Sequence, residues 1–122
     1  MAKHNDTGHW GEDIACEELV KQGYSIIERN WSTMRHEIDI IAGKGNRIIF
    51  AEVKTRTNID DDPIDAIDRR KMLKMIAAAN LYIQSLSVEP EIQFDILAIT
   101  GTPDDYRVEH IDDAFYPPLK TY

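Results

Sequence analysis

The sequence predicts an α/β fold in which helices flank a mixed β-sheet. Apolar residues recur at spacings of three and four in two long segments, as they do on the buried stripe of a helix. Several shorter runs are rich in β-branched and aromatic residues, which is typical of strands. The segments follow one another as helix, three-strand meander, helix and strand, with a further strand near the carboxyl terminus.

Each element has its own signals. The first helix is expected over residues 7–23, with Thr7 as its cap and Gly23 as its stop. Strands follow at 24–31, 37–42 and 47–54, and the turn-forming residues at 43–46 predict an antiparallel hairpin. A second helix opens at Asp62-Pro63 and carries an apolar stripe to Leu86. Strands at 93–99 and 106–111 complete the sheet, and the strand–helix–strand order predicts a parallel third and fourth strand.

Length and composition narrow the class of protein. The chain has 122 residues, 43% of them hydrophobic and 30% charged, which predicts one globular domain. No apolar run approaches the roughly 20 residues that cross a membrane, so we expect no membrane segment. The lone Cys16 indicates a reducing, cytoplasmic location. A net charge of -8 argues against a general nucleic-acid binder and predicts weak affinity for DNA.

Two acids and a lysine on neighbouring predicted strands indicate a functional site. Asp39 lies in the apolar run 37–41, and Glu52 and Lys54 lie together in 50–54. Side chains alternate along a strand, so Glu52 and Lys54 share a face, and both acids have apolar neighbours on their faces. Such carboxylates are costly to desolvate and would repel each other, which a divalent cation remedies. The other interpretation is an ion-pair network in which Lys54 neutralises the acids without a metal.

Two further groups of charged residues belong to the predicted helices. Glu12 lies on the core-facing stripe of the first helix, where it either compensates the helix dipole or joins the site. Gly8 and Gly11 on the same stripe suggest that another backbone approaches closely. The main concentration of positive charge is on the second helix. It is either a solvated face or, together with Arg56, a nucleic-acid contact, and its members are Arg69, Arg70, Lys71 and Lys74.

The combination of an acid, a following Glu-x-Lys strand and a glutamate on a core-facing helix resembles the PD-(D/E)xK nucleases, which have the restriction-endonuclease-like fold. More closely, the chain is identified as a member of the bacterial YraN-like family, which is akin to archaeal Holliday-junction resolvases. One departure is His36, where the family usually has glycine; its side chain either narrows access to the site or sits at the strand entrance. The segments that carry the resemblance cover nearly the whole chain and are Gly8-x-x-Gly11-Glu12-x-x-Ala15, Leu19, Gly23-Tyr24, Arg29-Asn30-Trp31, Glu37-Ile38-Asp39-Ile40-Ile41, Phe50-Ala51-Glu52-Val53-Lys54-Thr55-Arg56, Lys71, Phe94-Asp95 and Asp113-Ala114-Phe115.

The resemblance implies metal-dependent hydrolysis of DNA, structure-selective for branched or damaged substrates. The residues matching Asp39 and Glu52 bind Mg²⁺ or Mn²⁺ together with the backbone carbonyl of Val53. The residue matching Lys54 orients or activates the attacking water, and Glu12 assists the metal site. The similarity to resolvases also implies a homodimer. The alternative is a non-catalytic nucleic-acid-binding or adaptor protein that keeps the fold, which the acidic net charge favours.

Overall fold

The computed structural model describes residues 6–57 and 67–117, with side chains from residue 9 onward. The order of elements is the predicted one, and the α/β class is confirmed. The elements are α1 (Asp6–Lys21), β1 (Ser25–Thr33), β2 (His36–Lys44), β3 (Arg47–Arg56), α2 (Arg69–Ile83), β4 (Glu91–Thr102) and β5 (Asp105–Phe115).

The five strands form one mixed sheet in the order β1-β2-β3-β4-β5. Neighbouring strands are antiparallel except β3 and β4, which are parallel as predicted because α2 lies between them in the chain. A two-residue turn joins β2 to β3, since Lys44 pairs with Arg47. Gly45 in this turn has a φ of 61°, which glycine adopts without strain. The expected hairpin at 43–46 is therefore confirmed.

Helix α1 covers one face of the sheet. Its buried residues Ala15 and Leu19 pack into a core with residues of β2, β3 and β4, among them Ile40, Ile49 and Leu97. Gly11 is a point of close approach, but the partner is a side chain, because a Cβ there would collide with Oγ1 of Thr55 on β3. The surroundings of Gly8 lie outside the described side chains.

The ends of α1 follow the sequence signals closely. The helix begins at Asp6, one residue before the predicted cap Thr7, and ends at Lys21. Gly23 has a φ of 95°, and the backbone N–H of Tyr24 donates to the carbonyl of Leu19 at 3.0 Å. A left-handed glycine with this hydrogen bond is a common C-terminal cap, so Gly23 ends the helix as predicted.

Helix α2 covers the opposite face and packs Met75, Ala78 and Ala79 against a core that includes Phe50 and Phe94. It begins at Arg69 after the N-cap Asp68, and the predicted opening at 62–65 lies outside the described residues. It ends at Ile83, so Leu86 follows the helix instead of extending its stripe. Neither helix of the described chain is long and apolar enough to span a membrane.

Candidate metal centre

Asp39 and Glu52 lie where β2 and β3 stop pairing. The ladder between these strands ends at Ile40 and Ala51, although β2 begins earlier and β3 continues to Arg56. Beyond that point, the side chain of Asp39 links the strands, because its Oδ2 accepts a hydrogen bond from the backbone N–H of Val53 at 2.8 Å. The end of the ladder thus places two acids and the Val53 peptide side by side.

The two carboxyl groups affect each other unequally, because Asp39 raises the pKa of Glu52, whereas a side-chain hydrogen bond from Glu52 lowers the pKa of Asp39. Burial raises the pKa of Asp39, while the hydrogen bond from Val53 lowers it in part. Burial, and then the charge of Asp39, raise the pKa of Glu52 to about 7. The side chain of Glu52 is only 18% exposed, so water does little to screen this repulsion. Near neutral pH Glu52 is therefore partly protonated, and a positive charge beside it favours its ionised form.

Lys71 is the cation paired with this acid pair. Its Nζ lies 3.3 Å from Oε2 of Glu52, and its charge lowers the pKa of both acids. The sequence interpretation grouped Lys71 with nucleic-acid contacts and gave the neutralising role to Lys54. Lys54 is exposed, and within residues 6–57 and 67–117 it forms no ion pair. The side chain that reaches Glu52 comes from α2 and not from the same strand.

Glu12 is held beside the site by β1. Its Oε1 accepts a hydrogen bond from Nδ2 of Asn30 at 2.9 Å and lies 3.5 Å from Nη2 of Arg29. Asn30 has a φ of 51°, a conformation that asparagine tolerates better than most residues. Glu12 lies beyond the first turn of a helix that begins at Asp6, where the helix dipole has little effect. Its charge instead raises the pKa of Asp39.

The remaining basic residues separate into two groups. Arg69, Arg70 and Lys74 are exposed on α2, where a nucleic acid has access to them. Arg56 is different, because its side chain is 7% exposed and its Nε donates to Oγ1 of Thr100 at 2.8 Å. This guanidinium is enclosed between β3 and β4, so a nucleic acid has little access to it.

A second buried carboxylate, Asp95 on β4, was not assigned a role by sequence reasoning. Its side chain is fully buried, and Oδ2 lies 2.6 Å from Nε2 of His110 on β5. Asp112 contacts the same nitrogen at 3.1 Å. The one sequence signal for this carboxylate was its position inside the apolar run 93–99, just as Asp39 lies inside the apolar run 37–41. Nothing in the sequence shows that His110 lies opposite.

Both ring nitrogens of His110 lie within hydrogen-bond distance of oxygen atoms. Its Nδ1 lies 2.9 Å from Oε1 of Gln22, and the amide nitrogen of Gln22 donates to Glu18, which turns Oε1 towards the ring. Both ring nitrogens therefore face acceptors, an arrangement that favours the imidazolium. Burial alone would lower the pKa of His110, but the hydrogen bond to Asp95 and the Asp95 charge raise it overall.

The two acidic clusters differ as metal sites. The donor atoms of Asp95, His110 and Asp112 lie within 4.8 Å of one another, a spacing that suits a metal ion. There, however, His110 already partners both acids, and its pKa is raised. Asp39 and Glu52 offer hard oxygen donors, which Mg²⁺ and Mn²⁺ prefer, and share one partly exposed lysine. They are the better candidates for a divalent cation.

Fold and site together define an α/β protein with a half-buried acid pair at the point where two central strands separate. The chain belongs to the YraN-like family, since residues 11–99 match the family described as uncharacterised protein family UPF0102. A UPF0102 protein of Flavobacterium psychrophilum is 45% identical over 117 residues, which are 95% of this chain and 98% of that protein. One of Phocaeicola vulgatus is 41% identical over 120 residues, 98% of this chain and 99% of that protein. The family membership expected from the motifs is confirmed.

Proposed function

We propose that this protein is a metal-dependent nuclease that hydrolyses phosphodiester bonds in branched or damaged DNA, leaving a 5′-phosphate and a 3′-hydroxyl. The observation that carries the proposal is the half-buried pair of Asp39 and Glu52, in which burial and the charge of Asp39 raise the pKa of Glu52 to about 7. A divalent cation removes that repulsion and finds oxygen ligands in both side chains. The carbonyl of Val53, next to the N–H that binds Asp39, is the third proposed ligand.

Three further residues have separate roles in the proposed hydrolysis. A bound Mg²⁺ supplies positive charge against the charge that grows on the phosphate during hydrolysis. Lys54 lies two residues beyond Glu52 on one strand face, about 6.6 Å away between Cα atoms, and in our proposal orients the attacking water. Lys71 is the counter-ion of Glu52, and Glu12 adds negative charge near Asp39 that favours a cation.

Binding of DNA falls to the exposed face of α2. Arg69, Arg70 and Lys74 lie there, and Lys71 on the same helix reaches into the site. The chain as a whole has a net charge of -8 and repels DNA, so the affinity of this basic face for DNA should be weak. This affinity should also fall steeply with added salt. We also propose that the protein is a homodimer, which gives one site per DNA strand, and that it is cytoplasmic.

One observation favours a second candidate function, a non-catalytic DNA-binding or adaptor protein. Lys71 already pairs with Glu52 at 3.3 Å, so the acid pair has a counter-ion of its own. If the acid pair serves only to form this ion pair with Lys71, the protein binds DNA without a metal. Replacing Glu52 by glutamine would then leave the affinity for DNA unchanged.

Cleavage assays on wild type and matched lysine variants separate these functions. The substrates are flap, single-stranded and four-way-junction DNA in the presence of Mg²⁺. Lys54→Ala should keep metal binding and lower the hydrolysis rate by a factor on the order of 10², as loss of one transition-state contact does. Lys21→Ala, which removes an exposed lysine from the end of α1, is the control and should cleave as wild type does.

The same assay has two outcomes against the proposal. Cleavage by Glu52→Gln at the wild-type rate would place the activity in a different site or in a contaminant. Metal binding by wild type without cleavage of any substrate would favour the adaptor.

A further inference from the structure

A basic cavity lies beside the acid pair, between the β1–β2 turn and the beginning of α2. Its volume is about 620 Å³, and among residues 6–57 and 67–117 no acidic side chain lines it. Three of them are the cations Arg35, Arg70 and Lys74, and the others are Met34 and His36. In a chain with a net charge of -8, such a concentration of positive charge in one concave place is unusual.

The cations come from two separate elements and meet only in the fold. Arg70 and Lys74 are four residues apart on α2 and therefore lie on one side of the helix. Arg35 comes from the turn after β1, where Met34 has a φ of 50° and a side chain that is 95% exposed. Like charges brought together in this way repel each other, and an anion in the cavity relieves that repulsion.

His36 supplies a second, independent indication of a ligand. Its Nδ1 is buried, and no hydrogen-bond partner reaches it from the part of the chain that the structure describes. Buried polar atoms in proteins nearly always have a partner, so an unpaired one at the wall of a basic cavity points to a group that binds there. A ring nitrogen that carries a proton donates well to an oxygen of an anion.

The cavity is also placed for a ligand that extends to the acid pair. His36 begins β2, and Asp39 follows three residues later, about 10 Å along the strand. On the other wall, Arg70 directly precedes Lys71, whose Nζ lies 3.3 Å from Glu52. A chain of phosphates with one member in the cavity would thus pass close to Asp39 and Glu52.

We propose that this cavity binds a phosphate group of a DNA strand whose neighbouring phosphodiester lies at Asp39 and Glu52. The choice of DNA as the ligand rests on the proposed function, whereas the phosphate chemistry rests on the three cations and His36. Two sources offer the same chemistry, a 5′-terminal phosphate and an internal phosphodiester. The substitutions that remove the proposed contacts, Arg35→Ala and Lys74→Ala, are at exposed positions and should leave the fold intact.

Fluorescence anisotropy of end-labelled flap DNA, with or without a 5′-phosphate, tests this site at low ionic strength. Arg35→Ala and Lys74→Ala should each weaken binding about tenfold and reduce the salt dependence by about one phosphate contact. Arg107→Ala on β5 and Lys21→Ala on α1 are the matched controls, exposed and outside the cavity. A larger loss on 5′-phosphorylated DNA identifies the terminal phosphate, and an equal loss on both identifies an internal phosphodiester.

A titration of the same proteins with Mg²⁺ separates failure of the cavity from failure of the nuclease. Pocket variants that bind DNA as wild type does, or controls that lose as much affinity as the pocket variants, would overturn the phosphate site while leaving the nuclease proposal in place. DNA binding that depends on Arg35 and Lys74 in a protein that binds no Mg²⁺ would keep the phosphate site and contradict the nuclease. A wild-type protein that binds neither form of DNA would overturn the phosphate site.

Discussion

Two acidic regions on opposite faces of the sheet, one fully buried and one half-buried, hold their carboxyl groups in different ways. Asp95 on β4 faces the α1 side, together with Leu97 two residues later, and Glu52 on β3 faces the α2 side, together with Phe50. Both acids lie on central strands among apolar residues. Asp95 is satisfied by the protein itself, and Glu52 is not.

The difference lies in the partners that distant segments bring. Oδ2 of Asp95 bonds to His110, and Oδ1 accepts hydrogen bonds from the amide of Gln93 at 3.0 Å and the backbone N–H of Asp113 at 3.2 Å. On the other face, Asp39 and Glu52 share Lys71, whose side chain is 45% exposed. A fully paired acid stabilises the fold, while an acid pair with one loosely held cation leaves negative charge that a metal ion can use.

The largest expected effect comes from breaking the paired region. Asp95→Asn removes the charge that balances the buried imidazolium of His110, whose side chain is 8% exposed. Loss of one partner of a buried ion pair costs about 3–5 kcal/mol of the free energy of unfolding. Urea denaturation of wild type and variant measures this cost. Glu91→Gln, which breaks the exposed pair with Arg47, should cost less than about 1 kcal/mol and serves as the control; equal costs for the two variants would show that Asp95 and His110 are not a charged pair.

A smaller effect of opposite sign is expected at the unpaired region. The pKa of Glu52 is about 7 in the folded protein against 4.5 as its ordinary value, so the folded state binds more protons than the unfolded state between these pH values. Stability of the metal-free protein therefore falls as pH rises through that window. Glu52→Gln removes this penalty and should raise the free energy of unfolding by about 1–2 kcal/mol at pH near 8, and by little below pH near 4.

Unfolding curves at several pH values check this sign. Glu37→Gln, an exposed glutamate on β2, is the control and should leave the pH profile as it is in wild type. A Glu52→Gln variant less stable than wild type at pH near 8 would show that Glu52 stabilises the fold through Lys71.

The smallest effect is expected for the cation of the pair. Lys71→Ala removes the charge that lowers the pKa of Glu52, so Glu52 should titrate at higher pH than in wild type. Because Lys71 is partly exposed, the free energy of unfolding should change by less than about 1 kcal/mol. Side-chain NMR across pH measures the titration of Glu52, with Lys74→Ala as the control on the same helix. An unchanged midpoint would place Lys71 away from Glu52 in solution.

Much of the fold and the acid pair could be predicted from the sequence, because local residue patterns determine where helices and strands form. Alternation and turn residues identified the strands, the hairpin at Gly45 and the helix end at Gly23. The acid pair was predicted because each of Asp39 and Glu52 interrupts an apolar strand pattern, a local and visible anomaly. The family membership followed from motifs that span the chain.

The partners of these acids were not predictable in the same way, because they come from segments distant in sequence. Lys71 is 19 residues from Glu52, and His110 is 15 residues from Asp95. The alternative interpretation of the sequence had Lys54 as the counter-ion, but α2 brings Lys71 to Glu52 instead. Arg35 belongs to the basic cavity only because the β1–β2 turn meets α2 in the fold.

Calorimetric titration with Mg²⁺ and Mn²⁺ at pH near 8 tests the central claim most directly. Wild type should bind a divalent cation, and Asp39→Asn and Glu52→Gln should abolish binding while remaining folded. Asp112→Asn, from the other acidic cluster, should bind as wild type does. Binding should weaken below pH near 7, where Glu52 holds a proton that competes with the metal. Unchanged metal affinity in both Asp39→Asn and Glu52→Gln, or loss of binding in Asp112→Asn, would contradict the assignment of the metal centre.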